Sequence, residues 1–151
     1  MIYVLGLGNV LMGDDGFGPA VVRQFEKTYD VPENVEVVDV GTPGLDLMPW
    51  FYDAERLIIV DTVKADAAPG TMRLYDKRDL LRHAPSVRTS PHDPGVKEAL
   101  WTLELAGRGP KEVTLIGVVP ESVELTTDLS DTVREKIPVA MEAIARALGQ
   151  A

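Results

Sequence analysis

The chain has no cysteine among its 151 residues. That excludes disulfides, cysteine zinc sites, iron–sulfur clusters and a thiolate nucleophile together. Basic residues are scarce: 15 Lys and Arg stand against 24 Asp and Glu, a formal net charge of −9. Such a surface is not built to neutralise phosphates, so nucleic acid is not an expected partner. No apolar run reaches the roughly 18 residues of a membrane-spanning helix. Met1-Ile2-Tyr3-Val4-Leu5-Gly6 carries no basic segment, so no secretory signal is expected and the reading is cytoplasmic with no membrane partner. Two protease signatures are also missing. None of Ser86, Ser90, Ser122 and Ser130 lies in Gly-x-Ser-x-Gly, and there is no His-Glu-x-x-His helix. What remains is a globular composition, 45% hydrophobic and 26% charged, spread over one domain, residues 1–151. A chain of this length buries roughly two-thirds of its unfolded surface, and nothing in it requires more than a monomer.

Apolar runs alternate with helical periodicity. Ile2 to Leu7 reads as a buried strand running into Gly6-Leu7-Gly8-Asn9. Phe17, Val21, Val22, Phe25 and Tyr29 recur at helical spacing, with Pro19 in the first turn, which predicts a helix over 16–29. Val35–Val40 and Leu57–Val60 are further strands, with a short helix from Leu45 to Tyr52 between them. Thr71–Tyr75 alternates and follows closely after a Pro69-Gly70 turn, as an antiparallel edge strand does. Residues 76–92, broken by Pro85 and Pro91, read as an irregular loop. Asp93-Pro94 then starts a helix through Val96, Leu100 and Leu103 to Gly107, Val113–Val119 is a buried strand, and Ser130 caps a last helix that Pro138 kinks. The fold class is α/β: three layers, helices on both sides of a mostly parallel twisted sheet with one antiparallel edge.

In such a fold the ligand site lies beyond the carboxyl ends of the strands. Three polar positions meet that condition. Asp14-Asp15 follows the first strand at the entrance to the first helix, where one acid can cap and the other face the cleft. Asp61 ends the third strand directly after buried apolar residues. His92 precedes the Asp93 cap, where a neutral imidazole able to bind metal is favoured. Two carboxylates and an imidazole suit a divalent transition metal with open coordination positions, be it nickel, zinc, manganese or iron. Asp15, Asp61 and His92 are separated by 46 and 31 residues (61 − 15 and 92 − 61). Only a fold can bring them together.

The segment Gly6-Leu7-Gly8-Asn9-Val10-Leu11-Met12-Gly13-Asp14-Asp15-Gly16-Phe17-Gly18 resembles the N-terminal signature of the hydrogenase maturation endopeptidases. Gly41-Thr42-Pro43-Gly44-Leu45, Ile59-Val60-Asp61 and Ser90-Pro91-His92 resemble further segments of that family in the same order. The resemblance implies a twisted sheet between helices and three metal ligands, carried over by position to Asp15, Asp61 and His92. Asp15 is preferred to Asp14 because it directly precedes Gly16-Phe17-Gly18; many relatives carry Glu at that place. The implied substrate and partner is a nickel-loaded large-subunit precursor of a nickel–iron hydrogenase, from which a C-terminal extension is removed. Nickel then arrives with the precursor, although zinc or another divalent metal suits the same donors. A metal so held polarises the scissile carbonyl or acidifies a bound water, with Asp14 or Asp39 as candidate general bases.

Other readings stay open at this level. Gly6-Leu7-Gly8-Asn9-Val10-Leu11 begins like a dinucleotide fingerprint and Asp39 stands where a ribose-binding acid would, but Leu11 replaces the third glycine. Paired acids after the first strand also occur in phosphoryl-accepting receivers, yet the late strand ends Val118-Val119-Pro120 without the lysine they need. A nickel-binding maturation adaptor or carrier without peptidase activity is the remaining alternative. Trp50-Phe51-Tyr52 packs a short helix onto the sheet or forms part of a docking surface, and His83 reads as a solvated loop residue.

Overall fold

The apolar run IYVLGL makes the first strand, β1 (Ile2–Leu7), and it sits in the interior of the sheet. In the computed structural model, which describes residues 1–41, 47–83 and 95–149, β2 (Val35–Gly41) and β3 (Arg56–Thr62) flank β1 in parallel. The strand β5 (Glu112–Val118) continues in parallel beside β3, and β4 (Met72–Asp76) closes the sheet antiparallel to β5. The order is β2-β1-β3-β5-β4, a mostly parallel sheet with the expected antiparallel edge.

Period-two alternation decides which helices each face buries. Leu5, Leu57, Ile59 and Leu115 face one way and pack with Phe51, Leu80 and Leu100 of the helices α2 (Met48–Phe51), α3 (Lys77–His83) and α4 (Val96–Leu105). Val4, Ile58, Val60 and Ile116 face the other way. They meet Phe17, Val21 and Phe25 of α1 (Phe17–Thr28), Val133 of α5 (Asp131–Arg134), and Met141 and Ile144 of α6 (Ile137–Ala147). These are the three layers the sequence implies.

Two expectations are corrected. Residues 77–83 form α3 rather than irregular chain. A reciprocal cap starts it: the Asp76 amide donates to Asp79 Oδ2 at 3.0 Å and the Asp79 amide to Asp76 Oδ1 at 2.8 Å. This has the form of a capping box with aspartate in the place of glutamate, and Leu80 anchors the helix in the core. Nor is the last helix kinked at Pro138. Ser130 caps α5 as expected, its Oγ accepting from the Val133 amide at 3.3 Å. A separate helix α6 then begins, with Pro138 in its first turn, where a missing N–H costs nothing. The expectations for residues 42–45, for 84–92 and for an Asp93 cap fall outside the described residues.

α1 lies unusually close to the sheet because Gly18 has no side chain. A Cβ there would stand against the carbonyl oxygens of Val60 and Leu7, and 2.8 Å from the Leu7 amide nitrogen. Backbone atoms of two strands cannot step aside. Gly18→Ala is therefore expected to destabilise the fold by about 3 kcal/mol, the upper part of the overpacking range. Urea unfolding would measure this, and an unchanged midpoint would show that the helix can lift away without loss.

Candidate functional site

β1 has β2 on one side and β3 on the other. The chain leaves β1 for β2 through α1, then crosses back to β3. The carboxyl ends of β1 and β3 therefore frame the topological switch point, the crevice where ligands bind in open α/β sheets. Asp15 and Asp61 both fall there.

Asp15 lies in the 3₁₀ turn Gly13–Gly16 between β1 and α1. It is half-buried and does not cap α1, whose N-cap Gly16 has no side-chain cap bond. Its carboxylate is instead held from two sides. The Asn9 amide donates to Oδ2 at 2.9 Å, and the Thr62 hydroxyl donates to Oδ1 at 3.2 Å. Gly8 makes this possible. With φ +137 it passes under the Asp15 backbone, and a Cβ at that place would strike the Asp15 carbonyl oxygen. Asn9 folds the loop, its side-chain oxygen accepting from the Leu11 amide at 2.9 Å.

Asp61 is the penultimate residue of β3, opposite Gly117 of β5, and is fully buried. Its Oδ1 accepts from the Thr62 amide at 2.7 Å. Thr62, also fully buried, thus touches both carboxylates, one through its amide and one through its hydroxyl. Sequence reasoning passes over Thr62, although its place directly after Asp61 at a strand end is the signal that finds it. Among the described residues no group of three or more His, Asp or Glu side chains is gathered as a metal site. His92, the third expected ligand, lies outside them.

The two general-base candidates are engaged elsewhere. Asp14 is fully buried, and both of its oxygens are occupied. Oδ1 accepts from the Ser130 amide at 2.7 Å. Oδ2 accepts from the amides of Glu121 at 2.8 Å and Ser122 at 3.0 Å and from the Ser130 hydroxyl at 2.9 Å. Burial by itself pushes the Asp14 carboxyl up. The amides of Ser130, Ser122 and Glu121 and the Ser130 hydroxyl favour the charged form, outweigh that effect and hold the group below the ordinary aspartate range. Asp14 thus anchors the 121–130 segment, with both oxygens already accepting hydrogen bonds. Asp39 projects from the edge strand β2 to the surface helix residue Arg23, whose Nη2 and Nε lie 2.6 and 3.1 Å from Oδ2. In the aromatic cluster Phe51 is fully buried, Trp50 packs partly against the core, and Tyr52 is exposed under the Arg108 guanidinium, 5.3 Å from the ring centroid. The packing reading holds for the first two.

A family model described as hydrogenase maturation protease matches residues 19–147. The chain belongs to that family. The hydrogenase 2 maturation protease of Escherichia coli K12 is 37% identical over 151 residues, covering 97% of this chain and 90% of that protein. The hydrogenase expression/formation protein HupD of Bradyrhizobium diazoefficiens is 36% identical over 149 residues, covering 95% and 78%. Among solved structures, the hydrogenase maturating endopeptidase HybD from E. coli matches with a TM-score of 0.87 at 36% identity, covering 99% of this chain and 92% of that one. A hydrogenase 2 maturation peptidase from a Thaumarchaeota archaeon matches at 0.74 and 33%, covering 99% of both chains. Members of the family are proteases, so a non-catalytic adaptor or carrier is not favoured. No helix among the described residues is long and apolar enough to cross a membrane.

Proposed function

We propose that this chain is the endopeptidase that removes the C-terminal extension of a nickel-loaded nickel–iron hydrogenase large-subunit precursor, acting in the cytoplasm as a monomer. One observation carries the reading: the carboxylates of Asp15 and Asp61 meet on Thr62 at the switch-point crevice of a maturation-protease fold. Asp15, Asp61 and His92 receive the nickel that the precursor brings. Oxygen and imidazole donors suit nickel and equally zinc or another divalent ion. An ion so held supplies Lewis acidity, polarising a carbonyl or acidifying a water.

The protein's own contribution is orientation. Asn9 and Thr62 fix both oxygens of Asp15 from opposite sides, and the Thr62 amide aims Asp61. Ligands locked this way need no reorganisation when the precursor arrives. We assign the proton-accepting role to neither Asp14 nor Asp39, since hydrogen bonds and an ion pair already engage their carboxylates.

The test is mass spectrometry of a cognate large-subunit precursor, nickel-loaded and nickel-free, incubated with this protein. Loss of a defined C-terminal peptide from the loaded precursor alone is the expected result. An intact, verified nickel-loaded precursor after incubation overturns the reading and returns the carrier to first place. If the nickel-free precursor is cleaved equally, nickel is not the recognition signal.

A further inference from the structure

We propose that Leu11 and Leu125 form a preformed apolar ridge on the wall of the crevice that docks an apolar, basically flanked stretch of the large-subunit precursor next to the scissile bond. The inference rests on the function proposed above and deepens it by naming where the substrate is held and by what chemistry.

Scattered exposed leucines are ordinary on protein surfaces. This pair is not scattered. Leu11 is 53% exposed and Leu125 81% exposed, and they come from loops more than a hundred residues apart in sequence. The backbone stitches those loops together. The Thr126 amide donates to the Leu11 carbonyl at 3.0 Å, the Gly13 amide donates to the Thr126 carbonyl at 2.8 Å, and Met12 and Thr126 form a parallel bridge. Leu11 and Leu125 each precede that bridge by one residue, so they hold matching positions on the two chains.

The ridge is also rigid. The Leu11 amide is bound by the Asn9 side chain, and the Asp14 carboxylate pins Glu121, Ser122 and Ser130, on both sides of Leu125. An exposed leucine on a loop anchored at both ends loses little conformational freedom when a partner covers it, which is what a docking anchor needs.

Its position and surroundings select the occupant. Leu11 is four residues from Asp15 in the same loop, and Asn9 of that loop donates to the Asp15 carboxylate. A partner that covers the ridge therefore lies on the same loop that carries Asp15. No Lys or Arg occurs between residues 1 and 22 or between 112 and 133, whereas Glu121, Glu124 and Asp128 stand around Leu125 in sequence. The complementary surface is apolar at its centre and basic at its margin.

Steady-state cleavage of the nickel-loaded precursor by the Leu11→Ser/Leu125→Ser double variant tests this. KM is expected to rise by about tenfold or more, as for loss of a central anchor, with kcat at saturation and the melting temperature unchanged. Leu125→Lys alone, which places a cation against the basic margin, is expected to raise KM further than Leu125→Ser. Leu105→Ser, altering a leucine 82% exposed at the end of α4, is expected to change neither constant. An unchanged KM in the double variant overturns the ridge, as does a loss confined to kcat. If the unaltered protein cleaves no loaded precursor, the proposed function has failed instead. The ridge is then judged by direct binding of that precursor to both proteins, and equal affinity overturns it.

Discussion

Asp61→Asn and Asp15→Asn proteins that fold normally but lose precursor cleavage by on the order of 10²–10³-fold are the expected result of removing either charge, the scale seen when one preorganised electrostatic group is lost from an active site. Asparagine keeps the shape and the side-chain oxygen that accepts from Thr62 and removes the negative charge with its ligand strength; at Asp15 it also sets an NH₂ group against the Asn9 amide that donates to Oδ2. Thr62→Val follows in the same series with a smaller effect. It removes the hydroxyl that donates to Asp15 Oδ1 and keeps the branched bulk of a buried strand residue. Losing a group that orients a ligand typically costs about 10–100-fold. Single-turnover cleavage assays on the three variants would establish the order. Wild-type rates from Asp61→Asn would remove that residue from the site, and a Thr62→Val defect equal to that of Asp15→Asn would mean that orientation, rather than charge, limits the reaction.

The second large effect belongs to stability. Asp14→Asn is expected to destabilise the protein by about 3 kcal/mol, the scale for breaking a buried charged network by removing one partner. The asparagine nitrogen would face donors, and at least one of the four hydrogen bonds to this carboxylate would become a donor-to-donor contact. For a domain of this length the melting temperature should fall by about 6–12 °C. The pH dependence has a definite sign. The folded-state Asp14 carboxyl is held below its ordinary value, so the folded protein binds fewer protons than the unfolded chain through that window. Its contribution is complete above the unfolded value, about 3.9, and is lost as pH falls through the folded one. The gap between wild type and Asp14→Asn should therefore be constant near neutrality and close below about pH 4. A melting temperature equal to wild type at pH 7 would show that the 121–130 segment is held by its backbone bonds alone.

These two predictions separate neighbouring residues that the sequence presents as a pair. Position after the first strand marks Asp14-Asp15 as site candidates, and a family signature, not physics, prefers the second. The structure supplies the physical reason. Asp14 is bound by donors 107, 108 and 116 residues away, whereas Asp15 is bound by Asn9 in its own loop and by Thr62 at the end of β3. Burial of one carboxylate among distant amides has no local sequence signature. The same holds for the ridge: Leu11 and Leu125 read as unrelated surface leucines until the backbone bonds of Thr126 and Gly13 join their loops.

The sequence by itself determined the strands, most of the helices, the layering and the placing of Asp15 and Asp61 at strand ends, because period-two and helical patterns are local and every strand must bury its apolar side chains. It did not disclose α3, since the Asp76–Asp79 reciprocal cap departs from the usual serine-to-glutamate pattern and nearby prolines outweighed it. Nor did it distinguish a kink at Pro138 from a new helix, which depends on where Ser130 is anchored. Only the tertiary structure decided which acid anchors the 121–130 segment and which meets Thr62 at the end of β3, that Thr62 ties two carboxylates together, and that two leucines hold matching places beside one bridge. Each of these rests on hydrogen bonds between residues far apart in the chain, and such bonds are set by the packing of whole elements rather than by any neighbour in sequence.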